Sequence, residues 1–478
     1  MGGSTIAAIA TARGEAALSI VRLSGPDALR IAASVFDGAA GELAGVASHT
    51  AWFGQVKDLE GRAVDQVVVT VFRGPRSSTG ETVVEFTCHG GHAAPQAVLT
   101  CLYAAGAVPA EPGEFTRRAF LNGKLDLEQA EAVMDLIHSR SEASHRVSVR
   151  QLQGRLKSRL ALLRAGLLEL CGLVELELDF GEEDVEFADR SQVAVQLATL
   201  STTLDEMLLS SRYSDRWREG ISVVIAGKPN AGKSTLLNAL VGTDRVIVSS
   251  TPGTTRDFVE CEMVLDGLLL RLTDTAGIRV SEDEIEAEGV RRTEALIATA
   301  DVLLYVFDSL ERLSDGEVSH LRRVIGSNEA MVVVLVANKA DLLTAGLEGK
   351  SCSYKSLVVG GEGKGILRTP SEVTVSAQRA IGNPEEVEAL LEIIRTSLPP
   401  SLLDFDASDG MINERHQHHL REAEGAVRAA QALLASGSGG EFLSLELRAA
   451  MDALGSITGE ITNEDILSEI FGRFCIGK

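Results

Sequence analysis

No two cysteines in this 478-residue chain form a C-x-x-C pair; the six, Cys88, Cys101, Cys171, Cys261, Cys352 and Cys475, are scattered. That spacing gives neither a zinc site nor a disulfide framework, and a reducing, cytoplasmic setting is the simplest expectation. Aromatic residues are scarce at 4%, against 45% hydrophobic overall, so the core must come from Ala, Leu and Val. Positive charge is also short. A net charge of −23 argues against indiscriminate nucleic-acid binding, which draws on Lys and Arg. It leaves room for a local basic face. No uncharged run of 18 residues is present, so no membrane span is expected. Residues 1–12 lack a basic lead, and Arg13 and Glu15 follow at once; the stretch reads as a strand rather than a signal peptide.

What is present is a phosphate loop. Gly227-Lys228-Pro229-Asn230-Ala231-Gly232-Lys233-Ser234 fits G-x-x-x-x-G-K-[ST] without mismatch. An apolar run over 221–226 precedes it and a helical pattern from Thr235 follows, the strand–loop–helix context the motif needs. Backbone N–H groups of such a loop and the helix N-terminus face a phosphate chain. Lys233 is expected to reach the outer phosphates and Ser234 to hold Mg²⁺.

Along the chain, residues 1 to about 120 read as an α+β unit, with strands over 6–10, 17–23, 67–72 and 83–88 and a helix over 27–36. Residues 111–115 read as a turn, and His89 and His92 as loop histidines. From about 122 to 212 the pattern is helical. Leu125, Leu127, Ala130, Val133, Met134 and Ile137 line one face, and a second helix is expected over 141–178. The latter carries Arg146, Arg150, Arg155, Arg159 and Arg164, a stripe that suits either a phosphate backbone or plain solvent. Residues 179–189 are acidic and link it to a helix over 193–209. Residues 217–380 alternate strand and helix, as in a doubly wound parallel sheet. Helices over 385–397, 414–436 and 443–454 follow. The expected domains are therefore 1–121, a discontinuous helical bundle of 122–215 and 381–478, and an inserted nucleotide domain of 216–380.

Four further elements of the insert follow in the order of a GTPase. Gly253-Thr254-Thr255-Arg256-Asp257 offers a threonine hydroxyl to Mg²⁺ and the γ-phosphate. A strand over 268–273 ends in Asp274-Thr275-Ala276-Gly277, where Asp274 can hold Mg²⁺ through water and Gly277 N–H can sense the γ-phosphate. A strand over 332–337 ends in Asn338-Lys339-Ala340-Asp341. The Asp341 carboxylate can accept from guanine N1–H and its exocyclic amine, which adenine does not offer there, so the nucleotide is GTP. Ser376, Ala377 and Gln378 close the base pocket. The expected GTP contacts also include Asn230, Ala231, Gly232, Lys233, Ser234 and Thr235, and the loop Ser249, Ser250, Thr251, Pro252, Gly253, Thr254 and Thr255. Ile278 stands where Ras-like enzymes place a water-orienting glutamine. A monovalent cation held by Asn230 can replace an arginine finger electrostatically.

The chain ends Phe471-Gly472-Arg473-Phe474-Cys475-Ile476-Gly477-Lys478. With the inserted GTPase and the stretch from Arg117 to Glu131, it resembles the MnmE/TrmE family of tRNA modification GTPases over essentially its whole length. The resemblance implies a homodimer through a folate-binding N-terminal domain, a Ras-like G domain, and a heterotetramer with an FAD-dependent, MnmG-like partner. Together these add an aminomethyl or carboxymethylaminomethyl group at C5 of the wobble uridine of certain tRNAs. The one-carbon unit comes from 5-formyl- or methylenetetrahydrofolate, and the G domains dimerise around K⁺. By position, Arg22, Glu85, Lys124 and Lys478 match folate contacts. Asn230, Ser249, Thr251 and Thr254 match the K⁺ site, and Ser234 and Thr255 the Mg²⁺ ligands. Glu286 matches the glutamate that positions the attacking water, and Cys475 the required cysteine, whose role as nucleophile or proton donor stays open.

Departures are Thr11-Ala12-Arg13-Gly14-Glu15-Ala16 in place of a Pro-Gly-rich turn, Pro252, Gln378, and a Gly/Ser/Lys-rich insertion over 344–372. A GTP-dependent ribosome-assembly switch is the alternative that the GTPase motifs alone also allow. The C-terminal segment favours tRNA modification, and with it a docking of the chain's end beside the N-terminal domain.

Overall fold

The computed structural model describes residues 3–38, 43–179, 190–242, 259–275, 285–328, 330–343, 371–381, 383, 385–406, 408–460 and 464–478. The chain divides into two units. One joins residues 1–137, 150–205 and 414–478; the other joins 138–149 and 206–413.

The first unit begins with seven strands: β1 Ile6–Ile9, β2 Leu18–Ser24, β3 Phe36–Gly38, β4 Thr50–Lys57, β5 Ala63–Phe72, β6 Val83–His89 and β7 Val108–Pro109. Their spatial order is β3-β4-β5-β6-β2-β1-β7, antiparallel except for β1 with β7. Period-two alternation sends Val21, Leu23, Val67, Val69, Val71, Val84 and Phe86 inward. They form one core with Ile31 of the helix Ala28–Val35 and Val98 and Leu102 of the helix Ala93–Ala104. The opposite face carries Arg22 and Glu85, register partners, and the exposed pair Phe53 and Val68, also partners. Strand β4 and the helix Ala93–Ala104 were not among the sequence expectations. The exposed Phe53 blurs the alternation of the one, and in the other a mostly apolar run broken by only Gln96 and Thr100 hides the period.

The turn expected over 111–115 is shorter than that. Pro112 and Gly113 turn, and Glu114 already opens the helix Glu114–Leu121. The helix expected over 141–178 is two, Glu142–Leu152 and Arg155–Asp179. Gly154 takes φ +82° between them, a left-handed conformation that no helix continues through. The arginine stripe is accordingly divided: Arg146 lies in the second unit, paired with Glu142 and Asp406, while Arg164 lies in the first, paired with Glu460. The acidic stretch 179–189, apart from the backbone of Asp179, falls outside the described residues.

The helical part of the first unit is pinned by a buried ionic knot. Arg415 donates to both oxygens of Glu131, at 3.1 and 2.9 Å, and to the carbonyls of Ser456 and Ile457. His416 Nε2 lies 2.7 Å from the same carboxylate. Burial opposes ionisation of Glu131, but His416 and Arg415 outweigh it and hold the carboxyl well below the usual range.

One turn away, Glu128 is fully buried, with the Gln151 side chain beside it. Burial, then the charges of Asp126 and Glu131, push it up to about 8, with Lys157 opposing. The folded state therefore holds a proton that the unfolded state, near 4.5, releases. This contribution to stability is complete below about pH 4.5 and falls by up to about 1.4 kcal/mol per pH unit until about pH 8. Glu128→Gln should remove that slope, so its melting temperature should gain on the wild type steadily between those limits. Parallel melting profiles across that range would show that Glu128 is ionised in the folded protein.

Candidate functional site

The second unit is built on a six-stranded sheet. Its strands are β8 Ile221–Ala226, β9 Val259–Leu265, β10 Leu268–Asp274, β11 Val302–Asp308, β12 Val332–Asn338 and β13 Ser371–Thr374, in the order β13-β12-β11-β8-β10-β9. Five strands are parallel. The edge strand β9 is antiparallel to β10. The reason is local: Asp266 and Gly267 at φ +47° and +81° make a tight two-residue hairpin. Strands β8, β11 and β12 are buried almost throughout, as sheets covered on both faces require.

The phosphate loop leaves β8 and enters the helix Lys233–Val241. Its glycines are obligatory. A Cβ on Gly227 would meet Val306 O at 2.0 Å, and one on Gly232 would meet Asn338 Nδ2 at 2.2 Å. Asn230 itself is left-handed at φ +64°. Lys233 Nζ folds back onto the carbonyls of Gly227 and Lys228, at 2.9 and 2.8 Å, and burial lowers its pKa against the attraction of Asp274. Ser234 Oγ donates to Asp274 Oδ2 at 2.6 Å, and Thr275 Oγ1 to Ile225 O. A hydroxyl beside a buried carboxylate, facing a retracted ammonium, suits a hydrated magnesium ion and a phosphate chain.

Asn338 clamps two strand ends together. Its Nδ2 donates to Ala231 O and its Oδ1 accepts from Ala377 N, both at 2.9 Å, with the side chain buried. Lys339 is left-handed at φ +66° and its ammonium pairs with Asp308 at 2.8 Å, a partner the motif reading did not include. Ala340 N bonds Val375 O. Ser376 Oγ donates to Asp341 Oδ1 at 2.6 Å, and this bond, aided by Arg379 and Lys339, holds Asp341 below the usual carboxylate range. Ser376 also caps the short helix Ala377–Ala380, which contains Gln378. Asn230, Ala231, Asp308 and Lys339 line a common recess of about 250 Å³. Thus Asn230, Ala231, Gly232, Lys233, Ser234, Asp274 and Thr275 meet at one end of the sheet with Asn338, Lys339, Asp341, Ser376 and Ala377. Thr235 lies within the following helix.

Ser249, Ser250, Thr251, Pro252, Gly253, Thr254, Thr255, Ala276, Gly277 and Ile278 lie outside the described residues, as does almost all of the 344–372 insertion. Glu286 sits at the start of the helix Ile285–Thr299, its side chain likewise outside the description.

In the first unit the two chain ends meet. Pro112 and Ile476 form an antiparallel bridge, Phe115 N donates to Lys478 O at 3.1 Å, and Gly113 N reaches Cys475 O at 3.5 Å. Gly477, at φ +97°, packs so closely on Ile9 O that a Cβ would sit 2.2 Å away. Phe471 and Phe474 anchor the segment among Leu127, Ala130 and Leu467. The docking expected of the C-terminus is present. Arg22 Nε donates to Glu85 at 2.8 Å, and its guanidinium lies 5.7 Å from the centroid of the Phe115 ring. Phe115, hidden to sequence reading inside a Pro-Gly turn, therefore joins Arg22 to the backbone of Lys478. Lys124 Nζ instead donates to Pro75 O, and Cys475 is exposed.

A model of the MnmE helical domain matches residues 127–475, and one of the GTP-binding protein TrmE N-terminus matches residues 5–124. The chain belongs to the MnmE/TrmE family of tRNA modification GTPases. It is 48% identical to the tRNA modification GTPase MnmE of Salinibacter ruber, with 99% of each chain covered. Against the MnmE of Chlorobaculum tepidum it is 44% identical, covering 100% of this chain and 98% of that one. Among solved structures, a variant of Aquifex aeolicus Era bound to GDP·AlF4⁻ matches 37% of this chain and 56% of its own, at 28% identity and a TM-score of 0.27. As a member of the MnmE family the protein is a GTPase. None of its described helices is long and apolar enough to cross a membrane.

Proposed function

We propose that this protein is a K⁺-activated cytoplasmic GTPase that works with an FAD-dependent, MnmG-like partner on tRNA. The pair adds an aminomethyl or carboxymethylaminomethyl group at C5 of the wobble uridine. The observation that carries the reading is the bonding of Cys475 and Lys478 to Gly113 and Phe115, whose ring lies against Arg22, in a chain whose Asp341 and Ser376 suit a guanine edge. A GTP-driven assembly switch has no use for that junction.

In the nucleotide unit, Lys233 exchanges its two carbonyl bonds for the GTP phosphates, and Asp341, fixed by Ser376, accepts from the guanine edge. Ser234 and Thr255 would hold Mg²⁺, which would supply positive charge to the γ-phosphate, and Asn230, Ser249, Thr251 and Thr254 would hold K⁺, which would supply charge to the transition state. Glu286 aligns the attacking water. In the first unit, the Glu85 bond fixes the Arg22 fork, and Arg22, Lys124 and Lys478 offer charge-assisted donors to the carboxylates of a tetrahydrofolate. Cys475 faces the one-carbon chemistry with its exposed thiol. The exposed apolar pair Phe53 and Val68 on the Arg22 face of the sheet supports a homodimer through this domain, and hence the heterotetramer with the partner.

Two measurements test this. GTP turnover should be fast in K⁺ and slow in Na⁺, with Asn230→Ala losing the difference while still binding GTP; equal rates in the two salts would remove the cation from the reading. Nucleoside analysis of tRNA from cells lacking the protein should show wobble uridines without the C5 group, restored by the wild-type gene. Unchanged wobble uridines would overturn the function itself.

A further inference from the structure

The helix Glu414–Ser436 carries a group of donors that the functional reading leaves unused. His418 Nε2 lies 3.3 Å from one oxygen of Glu422, and His419 Nδ1 lies 2.9 Å from the other. The spacing brings this about, since residues three and four apart on a helix share a face. The three ligand atoms all lie within 4.8 Å of one another, and no other such trio of His, Cys, Asp and Glu converges among the described residues. The two rings stand 5.3 Å apart at 60°, so their nitrogens point into one space rather than stacking. His419 is held in place at 18% side-chain exposure, while His418 and Glu422, at 68% and 50%, are open to solvent and free to rotate.

An ordinary surface ion pair accounts for one imidazole on Glu422 and contributes little. Two imidazoles aimed at the two oxygens of one carboxylate are a different arrangement. They enclose a gap that an ion with bonds of about 2.0–2.2 Å closes by side-chain rotation alone. Two nitrogens and one oxygen suit zinc and its transition-metal neighbours; Mg²⁺ and K⁺ favour sets made of oxygen alone. We propose that His418, His419 and Glu422 bind one Zn²⁺-class divalent cation on the helical part of the protein, with water completing the shell. The site is separate in the chain from the nucleotide loop and takes an ion of different chemistry. Each imidazole would bind through the ring nitrogen that now lies against Glu422, as a neutral ligand.

The test uses the full-length protein, stripped with chelator and freed of nucleotide, and titrated calorimetrically with ZnCl₂. A parallel titration with Co²⁺ is read by visible absorption. Wild type should take up one more equivalent of Zn²⁺ than the double variant His418→Ala/His419→Ala, and Glu422→Ala should weaken that equivalent tenfold or more. The Co²⁺ ligand-field bands should fade in both variants. GTP hydrolysis by the variants should equal wild type, which shows that they fold. Equal Zn²⁺ stoichiometry and affinity in wild type and variants would overturn the proposal, as would an unchanged Co²⁺ spectrum.

Discussion

The backbone bond from Phe115 N to Lys478 O is the contact on which the arrangement of this protein's first unit depends. It joins residues 363 positions apart. Loop closure over such a distance is entropically unfavourable, and apolar burial offsets it: Phe471 and Phe474 are nearly fully buried. Two glycines then allow the close approach. Gly113 admits the Phe471 carbonyl, where a Cβ would sit 2.5 Å from it, and Gly477 admits the Ile9 carbonyl. Once the end of the chain is seated, Cys475 and Lys478 have fixed positions relative to Arg22, although everything from the helical hairpin to the nucleotide unit lies between them in sequence.

The nucleotide unit is governed by a similar economy of atoms. A single buried amide, Asn338, ties the phosphate loop to the segment that follows β13. Lys339 and Asp341 follow at the same strand end, so the Asp308 and Ser376 contacts lie beside that tie. Lys233 and Ser234 meanwhile rest on the carbonyls of their own loop and on Asp274. These bonds satisfy the two side chains from within the unit.

Much of this was legible in the sequence, for physical reasons that differ from place to place. The phosphate loop is legible because steric demands on Gly227 and Gly232 admit no other residue. The helices Glu385–Ser397 and Glu414–Ser436 are legible from their period, to the residue. Strand β4 was not, since Phe53 faces solvent in a strand whose inward face is only partly covered. The break at Gly154 was missed because glycine is tolerated inside helices, and only its positive φ marks the stop. Phe115 and Asp308 needed the fold, as their partners Arg22 and Lys339 are distant in sequence or on another strand. Glu128 carried no expectation from sequence; only packing shows it buried.

The function proposed above puts the modification chemistry at the junction of the chain ends and hydrolysis in the other unit, so a change at the thiol should separate them. The most direct measurement is the level of the C5-modified wobble nucleoside in tRNA from cells whose only copy carries Cys475→Ser, set beside the GTP turnover of the purified variant. Loss of the modified nucleoside with turnover near the wild-type rate is the predicted result. Normal levels of the modified nucleoside would contradict the account and leave Cys475 a structural residue of the docked C-terminus.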